Sequence, residues 1–353
     1  MHARIGFPVL AVLLLGLPAL SVAAWGQLTP NPDAPPVSNA PAVPLQQSVA
    51  TFKVNVNLVD VFFTARNKRG ELIPHLTRQD CSIAEDGVPQ TIKSFADETN
   101  LPLTLGILLD TSGSQQSVLP LEEQAGDQFL RDVLRSEDQA FLLSFDVNVN
   151  MLQDFTNNIA LLRQGMHTAR INTAGGSGQG GIPGLGGGTF PTVGSPKGTL
   201  LYDAIYEASN DKMSEQTGRK ALIVLTDGQD EGSVHTINQA IAAAERSNVM
   251  VYVILIADVR AYMDAGMAYN GYGAAKQIAD QTGGRLIDVG ANGRKLGEAF
   301  REISDELRTE YLATYTPSDT KLDGTFRTIK VNCGKGVRIQ TRKGYYAPLA
   351  PSN

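Results

Sequence analysis

The chain has 353 residues, 42% of them hydrophobic, and a formal net charge of −6. That length accommodates one large α/β domain with a smaller companion and a sizeable core. The mild acidity, spread along the chain without a basic stripe, excludes a nucleic-acid surface, and two cysteines are too few for a structural zinc site.

Residues 1–26 combine a weakly basic start, an apolar run from Phe7 to Ala19 and small residues before position 27, the layout of a secretory signal peptide. The competing reading is an uncleaved anchor. Pro8 and Pro18 interrupt a run already short for a bilayer span, so membrane attachment is expected only if the signal is retained. Residues 27–50, rich in Pro, Asn, Ala and Gln, read as a disordered linker.

The segment 51–97 reads as all-β. Residues 52–59 alternate apolar and polar with period two, 61–65 continue the strand, 67–70 and 85–87 are turns, and 90–95 is a further strand. From 98 to 310 strands and helices alternate. Strands are predicted at 101–109, 139–145, 220–226, 249–256 and 285–289, with a short edge strand at 149–152. Helices are predicted at 121–134, 159–169, 199–211, 234–247, 273–282 and 295–309. That alternation predicts a doubly wound, mostly parallel α/β sheet.

Strand texture returns in 311–348, at 311–315, 327–333 and 337–341. Neither flank is large enough to bury a core comfortably by itself. The two together predict one small β-sandwich with the α/β domain inserted between its halves. Cys81 lies in one flank and Cys333 in the other. In an oxidising compartment they either pair with each other or remain small buried hydrophobes.

Two segments interrupt the α/β pattern. Residues 175–188 hold nine glycines in fourteen positions, too little side chain to pack, and predict a flexible surface loop. The Gly-x-Gly-x-x-Gly within it, at 176–181, has no strand before it and no helix after it, so it is not a dinucleotide site. The stretch 258–272 carries Tyr and Met at the carboxyl end of a strand. It either rims the ligand face or is a partly buried loop without a role.

The chemistry concentrates in Asp110-Thr111-Ser112-Gly113-Ser114, directly after the apolar run 101–109. An acidic residue at the carboxyl end of a buried parallel strand lies where open α/β sheets place their ligands. One carboxylate with hydroxyls at +2 and +4 is too little charge for a calcium cage. It suits Mg²⁺, which keeps some of its waters. A strand followed by a plain helix cap is the bland alternative. Two further segments argue against it. The strand 220–225 ends in Thr226-Asp227-Gly228, and Lys197-Gly198-Thr199 opens a helix between the two.

Together these three segments resemble the metal-site loops of the von Willebrand factor type A domain, in that family's order. The resemblance implies a metal-ion-dependent adhesion site at Asp110, Ser112, Ser114, Thr199 and Asp227, holding Mg²⁺ (or Mn²⁺). Lys197-Gly198 departs from the Gly-Gly common there. Ala84-Glu85-Asp86-Gly87-Val88-Pro89-Gln90 and the terminal Arg342-Lys343-Gly344-Tyr345-Tyr346-Ala347-Pro348 resemble the flanks of the secreted von Willebrand A-related family typified in acidobacteria.

Enzymatic readings find less support. There is no Gly-x-Ser-x-Gly elbow, and His75, His167 and His235 lie near no serine motif of that kind. Asp146 and Asp203 are near the site loops but read as turn or cap residues rather than a general base. The expected function is therefore not catalytic and involves no small-molecule substrate. It is capture of an aspartate or glutamate of a protein partner through the ion, by a secreted or envelope protein. The alternative is an envelope scaffold in which the metal only stiffens the loops.

Overall fold

The computed structural model describes residues 58–97, 101–116, 118–172, 198–264, 266, 268–291 and 294–350. The signal peptide, the linker and the glycine-rich 175–188 stretch lie outside the described residues. Among the described residues no helix is long and apolar enough to cross a membrane.

The centre is a six-stranded sheet built from β5 (Leu103–Asp110), β6 (Gln139–Phe145), β7 (Val149–Thr156), β8 (Arg219–Thr226), β9 (Met250–Leu255) and β10 (Leu286–Asp288). Its order is β10-β9-β8-β5-β6-β7. All neighbours are parallel except β7, which runs antiparallel to β6 on the edge. Every residue of β5, β8 and β9 is buried. Continuous apolar runs such as Leu-Thr-Leu-Gly-Ile-Leu-Leu therefore have both faces covered, as parallel strands require.

Helices cover both faces. On one side α1 (Leu119–Val133), α2 (Ile159–Met166) and α7 (Leu296–Arg308) bury Phe129, Leu130, Leu162, Phe300 and Ile303 against Leu105, Ile107 and Ile223. On the other, α3 (Leu201–Glu207), α4 (Ile237–Arg246) and α6 (Gly271–Thr282) bury Ile205, Ile241 and Ile278 against Leu108, Leu222 and Val253. The architecture is a doubly wound α/β sheet, and its strand order reverses between β5 and β8.

Both flanks contribute to two antiparallel four-stranded sheets. The strands are β1 (Val59–Arg66), β2 (Ser82–Glu85), β3 (Val88–Gln90), β4 (Ile92–Asp97), β11 (Tyr311–Tyr315), β12 (Phe326–Asn332), β13 (Arg338–Thr341) and β14 (Gly344–Tyr346). The sheet orders are β13-β1-β11-β4 and β14-β12-β2-β3. Val61, Phe63, Tyr311 and Tyr315 of the first sheet pack on Ile83, Ile329, Val331 and Tyr345 of the second, forming a small sandwich core. The β2–β3 hairpin turns at Asp86 (φ 47°) and Gly87 (φ 82°), the left-handed pair that a tight turn of this hand needs. Ser82 pairs with Asn332, which sets Cys81 opposite Cys333, and the two form a disulfide 252 residues apart.

Several elements differ from the sequence reading. The expected strand 90–95 is split at Thr91. Its first part pairs with β2 in one sheet and its second with β11 in the other, so the chain turns the corner of the sandwich there. The edge strand at 149 runs on to Thr156. The helix expected over 199–211 begins at Leu201 and passes into a π turn at Ala208–Met213. The 258–272 stretch contains a six-residue helix, α5 (Val259–Asp264), and α6 already begins at Gly271.

Candidate functional site

Asp110 is the last residue of β5, and Asp227 follows the last residue of its neighbour β8. Both are buried. They lie outside the carboxyl ends of adjacent strands at the point where the strand order reverses, the crevice in which doubly wound sheets bind ligands.

Asp110 is held by hydrogen bonds on both oxygens. Its Oδ1 accepts from the Ser112 amide (3.0 Å) and the Ser112 hydroxyl (2.5 Å), and its Oδ2 accepts from the Thr226 hydroxyl (2.6 Å). Ser112 Oγ is in turn 3.1 Å from Ser114 Oγ. Burial pushes the Asp110 carboxyl up to about 7, and the negative charge of nearby Asp227 pushes it the same way against the hydrogen bonds of Ser112 and Thr226. Among the described residues no basic side chain bonds either carboxylate.

Asp227 Oδ1 accepts from the Gln229 amide at 3.0 Å, which closes the turn after β8. Its Oδ2 accepts from the Tyr262 hydroxyl at 2.5 Å, and its backbone carbonyl accepts from the Tyr269 hydroxyl at 2.9 Å. Burial and the charge of Asp227 raise both phenols above their ordinary value.

Thr199 reaches the same end of the sheet by a different route. Its amide and carbonyl pair with Glu231 (3.0 and 2.9 Å), and the Leu200 amide donates to the Asp146 carbonyl (2.9 Å). The structure thus joins Asp110, Ser112 and Ser114 directly and sets Asp227 beside them. Thr199 is anchored through its backbone. Among the described residues its hydroxyl makes no hydrogen bond to the other four.

Residues set aside by the sequence reading have structural roles. Asp146 Oδ1 accepts from the Asn148 amide (3.2 Å) and its Oδ2 from the Thr111 hydroxyl (2.8 Å), which ties the β6 turn to the residue after Asp110. Asp203 accepts from the amides of Val234 (2.9 Å) and His235 (2.8 Å) and contacts His235 Nδ1 at 2.7 Å. Ser233 donates to Asp230 rather than to a histidine. His75 and His167 have largely exposed side chains.

Thr226, Tyr262 and Tyr269 are the site residues that sequence reasoning missed. Thr226 stood in the Thr226-Asp227-Gly228 turn that the sequence singled out, but its contact with Asp110 comes from the β5–β8 register, which sets the two strand ends level. The two tyrosines lie in the 258–272 stretch that the sequence offered as a rim of the ligand face, but nothing local singled out either residue or its contact with Asp227.

The turn is kept open for this packing by two glycines. Gly228 has φ 79°, and a Cβ on Gly271 would lie 2.2 Å from the Asp227 carbonyl oxygen. Gly271→Ala is therefore expected to push the start of α6 off the Asp227 turn. Thermal melting should show a loss of about 1–3 kcal/mol, the usual cost of forced overpacking.

No protein family's sequence profile matches the chain, and no curated protein matches it. Solved structures similar to it include the protein BatB from Bacteroides thetaiotaomicron, at 18% identity over 58% of this chain and 97% of that one, with a TM-score of 0.42. Another is the vWF domain of the type V pili tip protein Mfa5 from Porphyromonas gingivalis, at 12% identity over 58% and 94% with a TM-score of 0.41. A third is proximal thread matrix protein 1 from the mussel byssus, with a zinc-occupied MIDAS motif, at 11% identity over 64% and 50% with a TM-score of 0.46. At these identities and TM-scores the similarities carry no conclusion about a ligand or a role for this chain.

Proposed function

We propose that the chain is an exported binding module of the von Willebrand A kind. It holds Mg²⁺ or Mn²⁺ at Asp110, Ser112, Ser114, Thr199 and Asp227, and through the ion it captures an aspartate or glutamate side chain of a protein partner. The observation that carries this reading is the pair of buried carboxylates, Asp110 and Asp227, set side by side with the hydroxyls of Ser112 and Ser114 and with no basic partner among the described residues.

Two like charges in a buried crevice are unfavourable unless a proton or a cation lies between them. A hard divalent ion suits an all-oxygen donor set of this kind. Among the described residues no three His, Cys, Asp or Glu side chains form a group that could hold a metal by themselves. The donors, two carboxylates and three hydroxyls, formally balance the charge of a dication but supply only five of the six oxygens that an octahedral Mg²⁺ takes, which leaves a position for an incoming acidic oxygen. When bound, the ion supplies positive charge and an open coordination position. The chain's own residues orient the donors: Thr226 holds Asp110, and Gln229 holds Asp227. The leader at 1–26 supports export.

Isothermal calorimetry with MgCl₂ and MnCl₂ tests the reading. The native protein is expected to give a saturable heat that Asp110→Ala abolishes. Ser114→Ala, a change at an exposed position that leaves the core untouched, should weaken binding by roughly tenfold, the loss of one good ligand-strength contact. No heat from the native protein would sink the reading. Capture of a partner from envelope extract should be abolished by EDTA, and EDTA-insensitive capture would favour a scaffold with a stiffening metal.

A further inference from the structure

We propose that Tyr262 is an internal occupant of the site, so that its phenol holds the Asp227 carboxylate in place of an ion and a cation must displace it to bind. This rests on the reading above that the Asp110–Asp227 crevice takes a divalent cation.

The geometry is specific to this residue. Tyr262 lies on α5, in the connection that leaves the carboxyl end of β9 and returns at α6. Its hydroxyl donates to Asp227 Oδ2 at 2.5 Å, and the Ser114 hydroxyl lies against the same phenol. It therefore touches one carboxylate and one hydroxyl of the five-residue donor set. An Mg²⁺ ion sits about 2.1 Å from each of its oxygen ligands, so an ion joining Asp227 to Ser114 requires the space that the phenolic oxygen fills.

The surrounding contacts keep the phenol in place. The Tyr269 ring lies 5.3 Å from the Tyr262 ring, the Tyr269 hydroxyl donates to the Asp227 carbonyl, and Gln229 Nε2 donates to the Ala268 carbonyl at 3.3 Å. The grip of this connection on the sheet is thus concentrated on Asp227 and the residues next to it. Val259 and Met263 on the same helix face solvent, Met263 at 67% exposure. Displacing Tyr262 therefore rearranges apolar surface at the rim of the site, and ion binding is coupled to the shape that a partner meets.

Tyr262 acts here as a positioning residue, and Tyr262→Phe isolates its hydroxyl while keeping the ring against Tyr269. The expected result is a roughly tenfold tighter Mg²⁺ affinity by calorimetry, since the ion no longer competes with a charge-assisted hydrogen bond. A second readout is independent of affinity. Mg²⁺ added to the native protein should give a tyrosine difference spectrum in the near-ultraviolet, and the variant should lose most of it. Equal affinities in the two proteins would overturn the proposal and leave the metal site standing. Weaker binding by the variant would also overturn it, because the phenol would then be a ligand. Heat from neither protein would show that the metal reading itself had failed.

Discussion

Replacing both Cys81 and Cys333 by alanine is expected to cost about 5 kcal/mol of stability, the loop-entropy value for a closure of this length. The two residues flank adjacent strands, Cys81 just before β2 and Cys333 just after β12, that are separated by the whole α/β domain, and the bridge spans 252 residues of sequence. Without it the unfolded chain must bring its two flanks together with no tether before either sheet of the sandwich can form, since each sheet takes strands from both. Residual compactness of the denatured chain reduces the figure, and loss of buried Cys333 from the sandwich core adds to it. Urea unfolding of oxidised native protein against the double variant measures the difference. A thiol count on denatured, unreduced protein checks its basis: two free thiols would remove the ground for the prediction. Because export places the protein in an oxidising compartment in the proposed reading, the bridge would form where it is needed.

Stability is also expected to fall as pH rises from about 5 to about 8, with Glu310 one of the buried acids responsible. This residue joins α7 to β11 and is fully buried. Among the described residues neither carboxyl oxygen accepts a hydrogen bond, and the nearest cation, Arg219 Nη1, is 3.9 Å away. Arg219 is itself occupied by the carbonyls of Leu101 and Leu307. Burial therefore pushes the acid from its ordinary 4.5 up to about 8, opposed by Arg219 and assisted by the charge of Glu306.

The direction follows from proton linkage. Below pH 4.5 the group is protonated whether the chain is folded or not, and its contribution is complete. Above that value the unfolded chain releases a proton that the folded chain retains, so unfolding gains about 1.4 kcal/mol per pH unit until Glu310 ionises in place near pH 8. The loss across the window is on the order of 3 kcal/mol. Glu245 and Asp110, both pushed up to about 7 mainly by burial, add to the slope in the same direction. Glu310→Gln, which carries no ionisable proton, should make the profile shallower, leaving the slope due to Glu245 and Asp110. Chemical unfolding at pH 5, 6.5 and 8 measures it, and parallel profiles for the two proteins would show that Glu310 is ionised throughout.

The fold class was legible in the sequence because its signal is local. Runs such as 105–109 and 221–225 carry no polar side chain on either face, as strands covered on both faces do. Helical segments repeat at the period that buries one stripe. Asp110, Ser112 and Ser114 were legible for the same reason. They lie within five residues, and their hydrogen bonds to one another follow from that spacing.

The position of Asp227 beside them was not local information. It depends on β8 pairing with β5, a choice made by the packing of two helical layers and carried out across more than a hundred residues. Helix α5 escaped notice because six residues are too few to show a period. Tyr262 could be set on Asp227 only once the β9–α6 connection had folded over the strand ends. The sandwich likewise needed the tertiary structure. Glu85, in one flank, accepts from the hydroxyls of Tyr315 (2.6 Å) and Tyr345 (2.9 Å), in the other, within the buried sandwich core. No periodicity in either flank encodes that meeting. A strand's alternation specifies which face is buried but not its partner, and here the partners are settled by which apolar faces and buried polar groups can satisfy one another in three dimensions.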